Sequence, residues 1–265
     1  MKKVFSHVLA VIGVLVVASA AASAQDFNKT YQLGPGGHIN IRGVSGNITV
    51  AGYDGGAVVV TAVREGRDLD KVSVEDLSAG DRIELRAKYP EQCNNCDATL
   101  HFQIQVPRSI KYNFDKLSTA SGNIEISAVT GVITAKSASG NVSLRDVSGE
   151  VNASSASGNV KVRNTAGVVN ARSASGNVEV EISQLEGSGN MEFSSASGDV
   201  SVKAPASLDA DIEMSSLSGA LKTDFPIQVQ ERQYGPGRTA RGKVGSGLRT
   251  IKVKSVSGNV SLERF

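Results

Sequence analysis

From Gly122 to Gly176 the chain repeats a nine-residue pattern in which an apolar residue follows each glycine by two positions. Four positions after the glycines, large and small apolar residues alternate, as in Ile126, Ala135 and Leu144. Apolar residues at alternate positions separated by polar ones are typical of a half-buried strand. Each nine-residue unit therefore predicts one short strand and one turn.

The sequences around the glycines alternate between two forms, so the full repeat is eighteen residues long. One half reads Ser-Ala-Ser-Gly-Asn, as in 137–141 and 155–159, and the other reads, for example, Val-Ser-Gly-Glu in 147–150. A short fixed period is typical of a solenoid, in which each coil buries its apolar face against its neighbours. We therefore predict an all-β fold, a parallel β-solenoid of the two-sheet β-roll or β-helix type with about 18 residues per coil and about 4.8 Å between coils.

The turns of this solenoid are predicted to carry a ladder of amide side chains. We expect glycine to supply a positive φ in each turn and the following asparagine to tolerate the left-handed region. Stacked amides satisfy polar groups between successive layers. The ladder consists of Asn123, Asn141, Asn159 and Asn177. On the outward face, we expect Lys161 to lie beside Glu179 and Arg163 beside Glu181, as exposed pairs worth about 0–1 kcal/mol each.

The rest of the chain divides around this regular segment, residues 116–223. Residues 25–115 contain short β-rich runs punctuated by turns, and Ser45-Gly46-Asn47 already shows the repeat pattern, so we predict a less regular N-terminal β cap. Residues 224–250 are turn-rich and basic, which predicts a loop or an irregular hairpin. Residues 251–265 return to the repeat and predict the final solenoid strands.

The first 24 residues have the features of a cleaved secretory signal. Lys2 and Lys3 precede an apolar run, and Ala22-Ser23-Ala24 is a small-residue cleavage site. We therefore expect an exported protein, periplasmic or at the cell surface, with no integral membrane segment after cleavage. The remaining chain would carry 26 basic and 26 acidic residues. This balance indicates no electrostatic footprint for nucleic acid or anionic lipid.

The only two cysteines, Cys93 and Cys96, lie close together. In an exported protein the default expectation is a disulfide, with a redox-active pair or a metal site that includes His101 as alternatives. Calcium-binding β-rolls carry carboxylates in their turns, whereas this chain mostly has asparagine or an apolar residue. We therefore predict no bound metal and no cofactor.

Catalytic residues are difficult to assign. Phe193 is the only aromatic residue from Lys116 to Asp224, and the serines have no His–Asp pair to activate them. Polysaccharide-cleaving β-helix enzymes need paired carboxylates or a metal beside sugar-stacking aromatics. We therefore predict that the protein is not an enzyme, and a carbohydrate-active β-helix enzyme is the catalytic alternative.

Two segments interrupt the repeat and are candidate interaction surfaces. Four residues are inserted between Gly176 and Gly189, near Gln184 and Glu186. Insertions in repeat proteins form loops on one face, which is often the binding face, although a tolerated surface loop is the simpler interpretation. The second segment carries a basic cluster formed by Arg232, Arg238, Arg241 and Lys243. The expected partners are an envelope protein, a surface polymer, or further copies of the chain through the solenoid ends.

Several motifs together resemble a known family. They are Gly46-Asn47-Ile48-Thr49-Val50, the following Gly52-Tyr53-Asp54-Gly55-Gly56, the run from Phe102 to Pro107, the Ser-Ala-Ser-Gly-Asn-Val repeats and the closing Val-Ser-Gly-Asn-Val-Ser-Leu. The chain resembles the bacterial β-strand-repeat proteins of unknown function that are called "putative adhesins". The resemblance covers essentially all of the chain after the predicted signal. It implies an extracytoplasmic β-solenoid with a non-catalytic role, and family analogy alone suggests an accessory of envelope-stress signalling as an alternative.

Overall fold

The computed structural model describes residues 25–90, 97–231 and 236–265, without the side chains of 25–26 and 229–231. The predicted signal peptide (1–24), the pair Cys93 and Cys96, and Arg232 lie outside the described residues. Apart from a short 3-10 helix (Leu69–Lys71), the regular structure described is entirely β. Within these ranges, no helix combines the length and the apolar character needed to cross a membrane.

The first eleven strands are β1 (Gln25–Tyr31), β2 (His38–Arg42), β3 (Ile48–Tyr53), β4 (Val58–Gly66), β5 (Ser73–Asp76), β6 (Arg82–Lys88), β7 (Ala98–Pro107), β8 (Lys111–Thr119), β9 (Ile124–Ser127), β10 (Thr130–Ser137) and β11 (Val142–Arg145). The next eleven are β12 (Ser148–Ser155), β13 (Val160–Ser173), β14 (Val178–Gln184), β15 (Met191–Ser195), β16 (Val200–Ala204), β17 (Ala210–Ser216), β18 (Leu221–Thr223), β19 (Gln228–Glu231), β20 (Arg238–Val244), β21 (Arg249–Ser255) and β22 (Val260–Arg264).

The strands form one mostly parallel sheet with 22 members. In the regular segment, residues pair with partners eighteen positions later, as Val142 does with Val160 and Thr134 with Asn152. The pairings follow two rows that meet in the long strand β13. Row A runs β5–β6–β2–β8–β10–β12–β13–β15–β21–β17–β20–β19. Row B runs β1–β4–β7–β3–β9–β11–β13–β14–β16–β22–β18.

The order of strands in the rows differs from their order in the chain at both ends. The last two strands, β21 and β22, insert between β15–β16 on one side and β17–β18 on the other. Near the N-terminus, β2 and β3 insert in the same way between β6–β7 and β8–β9. Residues 251–265 therefore complete the repeat within the stack and not at its outer edge.

The interior is built from the apolar residues that the repeat predicts. Val160, Val162 and Val169 are fully buried, whereas Lys161 and Arg163 point outward. Tyr112 and Phe114 add an edge-to-face aromatic pair, with 6.3 Å between ring centroids, near the N-terminal end. Full burial of each such apolar side chain contributes about 1.5–3 kcal/mol. The alternation read from the sequence is thus the alternation between core and surface.

Antiparallel strands cover the ends of the rows. At the N-terminal end, β1 pairs with β4 and β5 pairs with β6, and at the other end β19 and β20 extend row A beyond β17. Asp76 joins two of these elements, because its carboxylate accepts hydrogen bonds from Lys29 Nζ (2.6 Å) and Tyr31 Oη (2.9 Å). Burial alone would raise the pKa of Asp76, but these bonds and those from Ser78 hold it well below its usual range.

Candidate functional site

The Ser-Ala-Ser-Gly-Asn turns are held by a buried serine at the first position of the motif. The Ser155 hydroxyl donates to the carbonyl of Gly140 in the preceding repeat (2.8 Å) and accepts from the amide of Gly158 in its own turn (2.9 Å). Ser137, Ser173, Ser195, Ser255 and Ser216 make the same pair of bonds. Each serine therefore joins two successive layers, meaning neighbouring strands of one row, and satisfies backbone groups that are shielded from water. This role was missed from the sequence, although the fixed serine three positions before the glycine in this half of the repeat is a signal for it.

The asparagines of the same turns form a continuous ladder. The side-chain oxygen of Asn141 accepts from the backbone amide of Asn159 at 2.8 Å, and that of Asn159 accepts from Asn177 at the same distance. The ladder extends through further layers in the order Asn47, Asn123, Asn141, Asn159, Asn177, Asp199, Asn259 and the amide of Ala220. It links side chain to backbone, and it passes through the inserted C-terminal strands.

The expectation that the turn glycines supply a positive φ is correct for only one half of the repeat. Gly131, Gly149 and Gly167 have φ values of 144°, 113° and 122°. Gly158, in the serine-containing half, does not have a positive φ. A Cβ at Gly158 would lie 2.2 Å from the carbonyl oxygen of Gly140, so close approach between layers is what excludes a side chain there. The asparagines after these glycines do not occupy the left-handed region either; their side chains serve as ladder acceptors.

The outward face of row B forms a shallow polar trough. Three adjoining concavities of about 380, 350 and 320 Å³ lie on it, and neighbouring ones share Glu179 or Lys161. The two larger concavities are lined by residues of the Asn ladder, and the third is lined by side chains further along the same strands. The polar lining residues include Thr49, Asn123, Glu125, Asn141, Ser143, Arg145, Asn159, Lys161, Arg163, Asn177, Glu179, Glu181, Asp199, Ser201 and Lys203. The trough is open, and hydrogen-bonding groups recur along it with each layer.

The ion pairs in the trough match the prediction in one case and differ in the other. Lys161 Nζ lies 2.7 Å from Glu179, as expected from the eighteen-residue spacing. Arg163 also contacts Glu179, at 3.7 Å, and not Glu181. The register between β13 and β14 shifts after Val162, so Arg163 and Glu181 are not paired directly. A left-handed residue follows at Asn164, with φ 50°.

The inserted segment forms a loop, as the change of spacing predicts. β14 ends at Gln184, β15 begins at Met191, and the side chains of Gln184 and Glu186 are exposed. Leu185 between them packs against the core. The Asn190 side chain at the end of the loop accepts from the amide of Thr250 at 2.9 Å, which attaches the loop to the inserted strand β21.

The predicted basic cluster is largely paired with acidic residues. Arg238, Arg241 and Lys243 lie on β20, which pairs antiparallel with β17. Arg241 donates to Glu213 at 3.0 Å, and Lys243 lies 3.9 Å from Asp211. Glu213 lies on β17, 28 residues before Arg241, and the sequence alone does not show that β17 pairs with β20. The neutralisation of the basic cluster could therefore not be predicted.

The two candidate surfaces do not lie side by side, because the inserted loop leads from β14 in row B into β15 in row A, whereas the basic residues lie on β20 at the far end of row A. β21 and β17 separate β15, which follows the inserted loop, from β20, which carries Arg241 and Lys243. At about 4.8 Å per step, this is roughly 14 Å. The structure therefore does not bring Gln184 and Glu186 into one site with the basic residues. Among the described residues, no group of three or more His, Cys, Asp or Glu side chains is arranged to hold a metal ion.

Comparison with known proteins adds a family assignment. The sequence profile of the family described as Toastrack DUF4097 matches residues 28–263. No curated protein is significantly similar to this chain. Among solved structures, the chain is similar to a "putative adhesin" from Bacteroides fragilis, with 15% identity over 90% of this chain and 96% of that chain and a TM-score of 0.43.

Two further structures show a similar degree of likeness. One is a "putative cell adhesion protein" from Clostridium sporogenes, 13% identical over 90% of this chain and 99% of that chain, with a TM-score of 0.32. The other is a "putative adhesin" from Parabacteroides distasonis, 12% identical over 90% of this chain and 96% of that chain, with a TM-score of 0.34.

Proposed function

Because this chain belongs to the Toastrack DUF4097 family, we propose that it is a non-catalytic, exported protein of the cell envelope. Its polar faces bind another envelope component, either a protein or a surface polymer. Export to the periplasm or the cell surface follows from the predicted signal in residues 1–24.

The finer architecture belongs to the same proposal. Rows A and B are the two sheets of a β-solenoid whose coils contain about 18 residues. The eighteen-residue pairing of β10 with β12 and of β11 with β13 supports this coil length. A scaffold of this kind presents side chains at fixed intervals on a rigid surface.

The observation that carries the functional proposal is the continuous open trough on row B. The ladder asparagines in it repeat with every layer and are held by backbone hydrogen bonds, so this part of the trough is ordered before any partner binds. An extended partner along the trough would meet the same kinds of hydrogen-bonding group at each step. The residue with the most strongly lowered carboxyl pKa, Asp76, lies instead in the N-terminal cap and has a structural role.

The test is a pulldown from envelope extract with the purified chain (25–265), read by mass spectrometry, with a glycan array in parallel. We expect capture of a specific component by the wild type and its loss in Ser143→Arg/Ser201→Arg, which fills the trough with two long side chains. Glu150→Arg, on row A, serves as the control for added positive charge. Turnover of any glycan by the wild type, or equal capture by all variants, would contradict the proposal.

A further inference from the structure

A column of basic and serine side chains runs along the outward face of row A. Its basic members are Arg42, Lys136, Arg172 and Lys254. Its serines are Ser118, Ser154, Ser194 and Ser215. In the order of the strands they alternate strictly, because Arg42 pairs with Ser118, Ser118 with Lys136, Lys136 with Ser154, and Ser154 with Arg172. The alternation continues from Arg172 through Ser194 and Lys254 to Ser215.

The alternation depends on the insertion of the C-terminal strands. In chain order, Ser194 and Ser215 would be neighbours, and Lys254 would follow them at the end. Because β21 lies between β15 and β17, Lys254 separates the two serines. The column is therefore a property of the folded chain and cannot be read from the repeat alone.

The spacing of the positive charges follows from the strand spacing. Successive basic residues are two layers apart, and two steps of about 4.8 Å place them about 10 Å apart. From Arg42 to Lys254 the column covers six steps, or roughly 30 Å. Arg86, which pairs with Arg42, adds one more positive charge beyond its first member.

The charges beside this column leave it net positive. The neighbouring outward column contains Glu84, Glu192 and Glu213, but it also contains Lys116, Lys252 and Arg241. These six charges balance in number, and Asp115, which also points outward beside Lys116, lies 2.8 Å from His38. The column formed by Arg42 to Ser215 has no acidic member of its own.

Two of the basic side chains show how this surface is arranged. Arg172 donates to Glu192 at 2.6 Å and is still 58% exposed. Lys136 is exposed and has no ion pair among the described residues. An incoming anion can therefore reach these groups without displacing any buried contact.

We propose that this column binds an acidic polysaccharide that carries one carboxylate on every second sugar. This column lies on row A, so the proposal adds a second binding face to the row B trough of the proposed function. An extended chain of this kind repeats its charge at about the spacing of the basic residues, and the serines between them face the uncharged sugars, whose hydroxyls they can hydrogen-bond.

Other extended polyanions match this spacing poorly. Phosphates along one strand of duplex DNA recur every 3.4 Å or so. Side chains on one face of an extended acidic peptide recur about every 6.8 Å. The column has no aromatic member for stacking, so binding relies on charge and hydrogen bonds and is expected to weaken with salt.

The test measures binding of the purified chain (25–265) to immobilised hyaluronate oligosaccharides, which carry one carboxylate per two sugars. Oligogalacturonate, charged on every sugar, a neutral β-glucan and single-stranded DNA are the comparison ligands. The test variant is Lys136→Gln/Lys254→Gln. The matched control, Lys71→Gln/Lys222→Gln, removes the same charge from exposed positions outside both the column and the trough, and thermal unfolding checks that each variant is folded.

We expect hyaluronate to bind most tightly, and affinity to fall about tenfold in the test variant and little in the control. Equal losses in both variants, or equal binding of all anionic ligands, would overturn the proposal. If hyaluronate does not bind but the envelope pulldown still captures a trough-dependent component, this inference fails and the proposed function stands. If both experiments give nothing, the proposed function fails as well.

Discussion

Replacing the buried serine of one turn tests how the layers are held together. In Ser155→Ala, the amide of Gly158 loses its acceptor and the carbonyl of Gly140 loses a donor. Ser155 is only 6% exposed, so water cannot readily replace the hydroxyl. Leaving a buried polar group unsatisfied costs about 1–3 kcal/mol. In a domain of 150–250 residues, each 1 kcal/mol lowers the melting temperature by about 2–4 °C.

The assay is thermal unfolding of the purified chain, followed by circular dichroism, together with urea titration. Ser157→Ala is the matched control, because Ser157 belongs to the same turn but its side chain is exposed. Ser155→Thr should keep most of the stability, since Thr119 occupies the equivalent position and donates to the carbonyl of Gly46 at 3.1 Å. If Ser155→Ala and Ser157→Ala unfold alike, the bridging role of the serine is refuted.

Three further predictions concern the core, the turns and the cap. Val160→Asp buries an unpaired charge and should unfold several layers, which circular dichroism would show as a loss of the β signal. The outward Lys161→Asp is the control and should cost no more than about 1 kcal/mol. If Val160→Asp melts like the wild type, Val160 does not point inward. Ala128 has φ 54°, so Ala128→Gly should relieve up to about 1 kcal/mol of strain and raise the urea midpoint of unfolding. Ala138 does not have a positive φ, so Ala138→Gly should lower the midpoint. A shift of the urea midpoint in the same direction for both variants would refute this assignment. The pKa of Asp76 is lower in the folded state, so its contribution to the free energy of unfolding is present above the unfolded pKa of about 3.9 and is lost as the pH falls toward the folded value. The difference in stability between the wild type and Asp76→Asn should therefore shrink below about pH 4. A difference that widens there would contradict the assignment.

Much of the fold could be predicted from the repeat, because its apolar positions directly encode which side chains face the core. Val142 and Val160 are both buried and pair with each other eighteen residues apart, as the period indicates. The insertion after Gln184 was also visible as a change of spacing. These features are local or periodic, and periodic features are the ones that sequence reasoning recovers.

The missed features depend on contacts between distant segments. Nothing in the repeat indicates that β21 lies between β15 and β17, because residues of every layer satisfy the same pattern. The neutralisation of Arg241 by Glu213 likewise requires the antiparallel pairing of β20 with β17. The role of Gly158 was misassigned because glycine serves both for a positive φ and for close approach, and the sequence alone does not distinguish the two.

Disulfide trapping tests the inserted position of the C-terminal strands, on which both the stack and the charge column depend. In a chain with Cys93→Ser and Cys96→Ser, the pair Ser194→Cys/Lys254→Cys should crosslink rapidly on mild oxidation, because the two positions are direct neighbours on parallel strands. The pair Ser194→Cys/Ser215→Cys should not crosslink, because β21 lies between them. Efficient crosslinking of the second pair without the first would show that the layers follow chain order and would contradict the account.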